Sequence, residues 1–296
     1  MPHTLDMGLS SFLPINRARV CRLCLFLASP AVAWAGVGWD QIEFEEPPPV
    51  AQLFPPIEKI LGRTSFWAQS RVRATDAKFK QAMASPDPVQ RAEAADSLGY
   101  PNDDEAVPLL GEILQNGRED KSVRASAAIA LGRIGDERGR RFLAESIDDE
   151  QLDVRFASVL ALSRLGFTGD EKAIEKTLRS DPAWWVRYAA AAALGKARRT
   201  FAIEALAQAA REDPQWQVRM QAANSLGEIG GEPAAESLAA PLSDRDEGVR
   251  ASAAMALAEI GGPKSLILLR RAAAQERSDF ARQVINDSVR RVLAKP

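Results

Sequence analysis

Arginine recurs at positions 91, 124, 155, 187, 219, 250 and 282, at intervals of 31 to 33 residues. Around it stands one segment, Val-Arg-x-x-Ala-Ala-x-Ala-Leu-Gly. Its copies run over Gln90–Gly99, Val123–Gly132, Val154–Ser163, Val186–Gly195, Val218–Gly227 and Val249–Ala258, with a degenerate seventh from Ala281 to Arg290. A period of this length makes each unit one supersecondary element that cannot bury its apolar face alone. Neighbouring units supply the missing wall, so the chain must fold as a stacked array with one continuous core.

Each unit reads as two helices. The first carries apolar runs such as Leu109, Leu110, Ile113 and Leu114, or Leu266, Ile267, Leu268 and Leu269. Pro233 and Pro263 follow glycines and suit a first helical position, where the missing N–H costs nothing. The second helix starts after Asp, Ser or Pro, as at Asp181-Pro182 and Asp213-Pro214, where a carboxylate can cap free N–H groups. It is expected to end at the Gly of Leu-Gly, often followed three residues on by another apolar-Gly pair such as Ile134-Gly135 or Ile229-Gly230, since glycine reverses the chain at low steric cost. Alanines at 127, 128, 190, 191, 222, 223, 253 and 254 let helices approach closely.

The runs Asp-Pro-x-Trp-x-Val-Arg at Asp181–Arg187 and Asp213–Arg219 resemble the HEAT-repeat superfamily, in particular the subgroup named for the phycobilisome lyases. The resemblance covers about residues 57–296. It implies an all-α fold, an α-α superhelix of about seven helical hairpins. It also implies that Arg91, Arg124, Arg155, Arg187, Arg219, Arg250 and Arg282 form a structural ladder, paired with loop acids such as Asp120, Asp181, Asp213 or Asp246; ligand binding is the competing role. For function it is broad, because the same repeat serves chromophore lyases, an iron-dependent hydroxylase and many scaffolds.

Residues 1–35 read as an address. Arg17, Arg19 and Arg22 precede the apolar run Leu23–Ala35, and Ala33-Trp34-Ala35 has the small-x-small form of a signal-peptidase site, so cleavage is expected after Ala35. A buried N-terminal helix or an uncleaved anchor is the competing description. Residues 36–56 hold Glu43, Glu45 and Glu46 and five prolines, the composition of an extended acidic linker. Export to the periplasm is the expected destination, with no membrane span left after cleavage.

Lys plus Arg is 38 against Asp plus Glu 40, a net charge of −2, so no cationic field draws the chain to nucleic acid. His3, Cys21 and Cys24 are the whole supply of imidazole and thiol. Beyond them, zinc sites and histidine-based triads have no building blocks. The iron-dependent hydroxylase of this repeat type uses His-Glu pairs, and no such pair is present. Asp244–Gly248 has the spacing of half a calcium loop, and Asp148-Asp149-Glu150 and Asp103-Asp104-Glu105 are acidic clusters. None supplies the six to eight oxygens calcium takes, and they read as loops and caps. No metal and no cofactor are expected.

At 100° per residue, positions one and five after each arginine turn away from the core. They bring Phe156, Leu160, Tyr188, Met220 and Met255 into one apolar stripe, with Trp184, Trp185 and Trp216 at the entry to the same helices. Exposed on the concave wall, the stripe is a site for a protein partner; packed between repeats, it is core. The sequence therefore leads to the expectation of an exported, non-enzymatic scaffold holding a protein partner on its concave face. A lyase-like or enzyme-assembly factor is the alternative.

Overall fold

The computed structural model describes residues 77–99 and 104–295. Every described residue belongs to one compact unit. The expected leader (1–35), the linker (36–56) and the start of the repeat array at 57 lie outside the described residues.

Fourteen α-helices make up the described residues, joined by short 3₁₀ turns: α1 (Ala77–Met83), α2 (Pro88–Ser97), α3 (Val107–Gln115), α4 (Lys121–Ile134), α5 (Arg140–Glu145), α6 (Leu152–Leu165), α7 (Glu171–Ser180), α8 (Trp184–Ala197), α9 (Ile203–Glu212), α10 (Trp216–Ile229), α11 (Gly231–Ser237), α12 (Glu247–Ile260), α13 (Gly262–Gln275) and α14 (Asp279–Ala294). They pair as seven antiparallel hairpins. The even-numbered helices stack on one another in chain order, and the odd-numbered ones form the second layer. This is the α-α superhelix, and the period of the arginines is the period of the hairpin.

The core is a seam of equivalent positions. Leu98, Leu131, Leu162, Leu194, Leu226 and Leu257 stand seven residues after successive arginines and are fully buried, as are Val123, Val154, Val186, Val218 and Val249 just before them. Each such leucine contributes about 1.5–3 kcal/mol by leaving water. The paired alanines at 127–128, 190–191, 222–223 and 253–254 are likewise inaccessible. The seam thins at the last hairpin, where Ile267 and Leu293 are more than half exposed.

The Leu-Gly glycines correct the sequence expectation. The second helices do not stop there but run on to Ile134, Leu165, Ala197, Ile229 and Ile260. A Cβ on Gly132 would stand 2.6 Å from the Cα of Ala161, and one on Gly227 would stand 2.9 Å from the Cα of Ala256. Glycine at this position sets the spacing between stacked helices. Chain reversal falls to the second glycine, Gly135, Gly166, Gly230 or Gly261, at φ between 73° and 81°. In the fourth hairpin Arg198 takes that place at φ 49°, the one non-glycine residue of positive φ among the described residues. A left-handed arginine is strained where glycine is not.

Candidate functional site: a carboxyl pair on the second-helix wall

The arginines at the repeat position occupy a chain of ion pairs along the loop edge. Arg155, Arg187 and Arg219 each grip the next hairpin's acid with two N–H groups: Asp181 at 2.7 and 3.1 Å, Asp213 at 2.7 and 2.9 Å, and Asp244 at 2.7 and 2.8 Å. Arg250 holds Glu276 at 2.7 and 2.8 Å, Arg91 holds Glu119, and Arg124 holds Asp149. Arg282 pairs with Asp279 of its own helix. The third guanidinium nitrogen turns back to loop carbonyls: Arg187 donates to the oxygen of Asp181 at 2.8 Å, and Arg219 to that of Asp213 at 2.9 Å. The same acids fold the turn before the next helix, since Asp181 accepts from the Ala183 N–H and Asp213 from the Gln215 N–H. Asp120 and Asp246 lie outside this chain and cap α4 and α12 instead. These bonds raise the Arg155, Arg219 and Arg250 guanidiniums against partial burial. Glu276 is pulled down to about 2, first by Arg250.

The two register positions of the apolar stripe part company. Position one is mostly core: Phe156 is 6% and Tyr188 2% exposed, and Ala92, Ala125 and Ala251 are buried with them, while Met220 is half-buried. Position five reaches the surface in part, leaving Leu160 and Met255 half-buried. Trp184, Trp185 and Trp216 are half-buried, with Trp184 and Trp185 edge to face at 5.5 Å. Two of the proposed contact residues, Phe156 and Tyr188, thus have little side chain to offer a partner. The wheel assigned them outward because it treats a helix as flanked on one side, whereas each second helix has stacked neighbours on both.

Sequence reasoning missed the position nine residues after each arginine. There the second helices carry Arg133, Arg164 and Lys196, then Glu228 and Glu259, then Arg291. Glu228 and Glu259 lie in the last turns of α10 and α12, where the helix dipole disfavours a negative charge. Burial pushes the Glu228 carboxyl above its ordinary range, and the charge of Glu259 adds to the push against Arg198 and Lys196. Desolvation also raises Glu259, opposed by Arg291, Lys295 and Arg198. The Lys295 ammonium donates to the Glu259 carbonyl oxygen at 2.6 Å, tying α14 to the end of α12. Two carboxyl groups raised by desolvation on neighbouring helices, with a strained arginine nearby, are the candidate proton-transfer groups of the described residues. The readable signal was the switch of sign within one column of the repeat.

The family comparison matches HEAT repeats over residues 77–163, 117–195, 171–247 and 203–290, more than half of the chain. The chain belongs to the HEAT-repeat family. Among curated proteins it is 33% identical over 108 residues to deoxyhypusine hydroxylase of Homo sapiens, covering 36% of each chain. It is 37% identical over 98 residues to deoxyhypusine hydroxylase of Candida albicans, covering 31% of each. The chain thus spans about a third of the length of the curated relatives it matches. Among solved structures it is similar to human deoxyhypusine hydroxylase in complex with glycerol (23% identity, TM-score 0.40, 83% of this chain and 99% of that one). It is also similar to the CpcE–CpcF complex of phycocyanin lyase from Nostoc (24%, TM-score 0.46, 74% and 100%).

These relatives correct the expectation of a non-enzymatic scaffold, because the curated proteins that match are enzymes. The iron implied by the resemblance to a HEAT-repeat hydroxylase finds no fitting donor set among the described residues. Among the described residues no three His, Cys, Asp or Glu side chains gather to hold a metal ion, and His3, the one histidine of the sequence, lies outside them. The acids that looked like calcium ligands are engaged otherwise: Asp244 with Arg219, Asp149 with Arg124, Asp148 with Lys176. Among the described residues no helix is long and apolar enough to cross a membrane.

Proposed function

We propose that this chain is a protein-modifying member of the HEAT-repeat enzymes, with Glu228 and Glu259 as its proton-transfer pair and a polypeptide as its substrate. The observation that carries the reading is the pair of raised carboxyls at helix C-termini, in a column where the three preceding repeats carry cations. A carboxyl group whose proton affinity is raised is a better proton carrier than an ordinary surface glutamate. Enzyme character is supported by the curated relatives, and a polypeptide substrate by the repeat family, whose stacked helices commonly engage other proteins. The oxidative chemistry in the relatives' name is no part of the proposal, because the donor set does not fit the metal. Export after cleavage at Ala35 belongs to it, and N-terminal sequencing of the mature chain would read Gly36 first.

The test compares the proteomes of cells carrying the wild-type chain, Glu228→Gln and a deletion by mass spectrometry. A side-chain mass shift present with the wild type and lost in the other two supports the reading, provided Glu228→Gln melts no lower than the wild type. Identical modification patterns in all three strains defeat it.

A further inference from the structure

The turn that hands Glu119 to Arg91 contains the one Asn-Gly step of the sequence, Asn116-Gly117. It joins α3 to α4 and is hydrogen-bonded on both sides. The Asn116 N–H donates back into α3, to the Glu112 carbonyl oxygen at 3.0 Å, and the Asn116 carbonyl oxygen accepts from the Glu119 N–H at 2.9 Å, closing a β-turn over 116–119. The Asn116 Oδ1 accepts from the Arg118 N–H at 3.1 Å, an Asx turn laid over the first. Glu119 leaves this turn with its Oε1 bonded to Arg91 at 2.8 and 3.1 Å and to the Asp120 N–H at 2.7 Å. Asn116 and Gly117 themselves are exposed, and a Cβ on Gly117 would meet nothing within 4 Å.

An asparagine before glycine is open to loss of its side-chain amide, because no Cβ shields the glycine nitrogen. That nitrogen gives its proton to a solvent base and bonds to the asparagine Cγ; the Cγ–Nδ2 bond breaks, and ammonia leaves with a proton from water. Water then opens the five-membered imide. Cleavage at Cγ gives aspartate, and cleavage at the main-chain carbonyl gives isoaspartate, whose backbone runs through the side chain and is one methylene longer. Attack requires the Gly117 nitrogen to swing to the Cβ side of Asn116, where it can meet Cγ. At the observed φ −73° and ψ 93° it lies nearly opposite Cβ. The turn bonds hold it there, so ring closure waits until the 116–119 turn opens, and the restraint that reaches outside the turn is the clasp on Glu119.

We propose that Asn116 is a deamidation site gated by the Arg91–Glu119 clasp, shut while the first and second hairpins are joined and open when that joint parts. The isoaspartyl product has a longer main chain and a new carboxylate three residues from Glu119, so the turn cannot re-form its old bonds. A transient opening becomes a permanent weakening of the joint. The inference stands apart from the proposed function.

The test follows Asn116 in mildly alkaline buffer by peptide-mapping mass spectrometry and isoaspartyl methyltransferase labelling, in the full chain and in a free peptide of residues 112–121. The wild type should react more slowly than the peptide. Arg91→Met removes the clasp and leaves every atom of the turn in place, so it should react about fivefold or more faster than the wild type, the ratio that about 1 kcal/mol of clasp produces. Glu119→Gln, a milder break of the same clasp, should fall between the two. Arg219→Met weakens a distant joint and should keep the wild-type rate, because a repeat array opens unit by unit. Gly117→Ala, which shields the nitrogen and has room for its Cβ, should be the slowest. Wild-type product separated by ion exchange should show faster hydrogen exchange in α2. A wild type as fast as the peptide, an Arg91→Met or Glu119→Gln no faster than the wild type, an Arg219→Met accelerated as much as Arg91→Met, or a product with unaltered exchange overturns the proposal.

Discussion

Replacing Asp244 by alanine tests the loop-edge ladder where it is driest. Arg219 is 3% exposed, and its guanidinium makes two bonds to Asp244 and two to the carbonyls of Asp213 and Pro214. Asp244→Ala leaves that cation buried with only neutral acceptors, a loss of about 3–5 kcal/mol for a buried pair broken on one side. It also removes the acceptor of the Asp246 N–H, 2.8 Å away, which shapes the turn into α12. Removing the cation as well, in Arg219→Met/Asp244→Ala, takes away the uncompensated charge, so a coupling energy of about 1–3 kcal/mol is expected between the two sites. Urea denaturation followed by circular dichroism gives the sum. Hydrogen exchange with mass spectrometry gives the location, because a repeat array opens unit by unit at its weakened interface. Faster exchange should be confined to the facing ends of α10 and α12. A loss below about 1 kcal/mol, or a uniform change across the array, would falsify the assignment of these pairs to the joint between hairpins.

Four further outcomes follow from the structure. Gly132→Ala forces a Cβ against the backbone of Ala161 and should destabilise by about 2 kcal/mol or more; Gly117→Ala, with open space around it, serves as the control in the same melt. Glu276 has a folded pKa of about 2 against an ordinary 4.5, so its contribution is complete above about pH 4.5 and is lost as pH falls toward 2. Discounted for partial solvation, that is about 1–2 kcal/mol, and Glu276→Gln should flatten the acid limb of a pH series of urea midpoints. Glu228 has the opposite sign: its raised carboxyl penalises the fold at neutral pH, and the penalty shrinks as pH drops. Glu228→Gln should therefore be at least as stable as the wild type at pH 7 and gain less on acidification. Finally, Tyr188→Ala should cost about 3 kcal/mol or more, as a buried aromatic does, whereas Met255→Ala, half-exposed, should cost clearly less; comparable losses would place both in the same environment.

The hairpin array was legible because its signal is redundant. Valine before five of the seven arginines and leucine seven after six of them are buried, so either column alone would have phased the helices. What one helix wheel could not supply was the neighbour. Seen singly, Phe156 and Tyr188 face away from the leucine seam; in the stack they are covered. Gly132 and Gly227 look like helix ends by composition, yet their role is a backbone approach of the next helix, which a pattern within one repeat does not encode. Glu228 and Glu259 went unnoticed for a related reason. These two are 31 residues apart, on neighbouring stacked helices, a relation that no motif within one repeat records. Comparing the same column from repeat to repeat, rather than residues within one repeat, brings them out.

The acids of the loop edge have a consequence for how such a chain can change length. Asp181, Asp213 and Asp244 each clasp the unit behind and pin the bend leading into the unit ahead. A segment cut between two of them therefore carries a matching socket at one border and a matching plug at the other. Duplication or loss of one whole segment leaves every guanidinium with a carboxylate, so the array can lengthen or shorten without stranding a charge at the new seam.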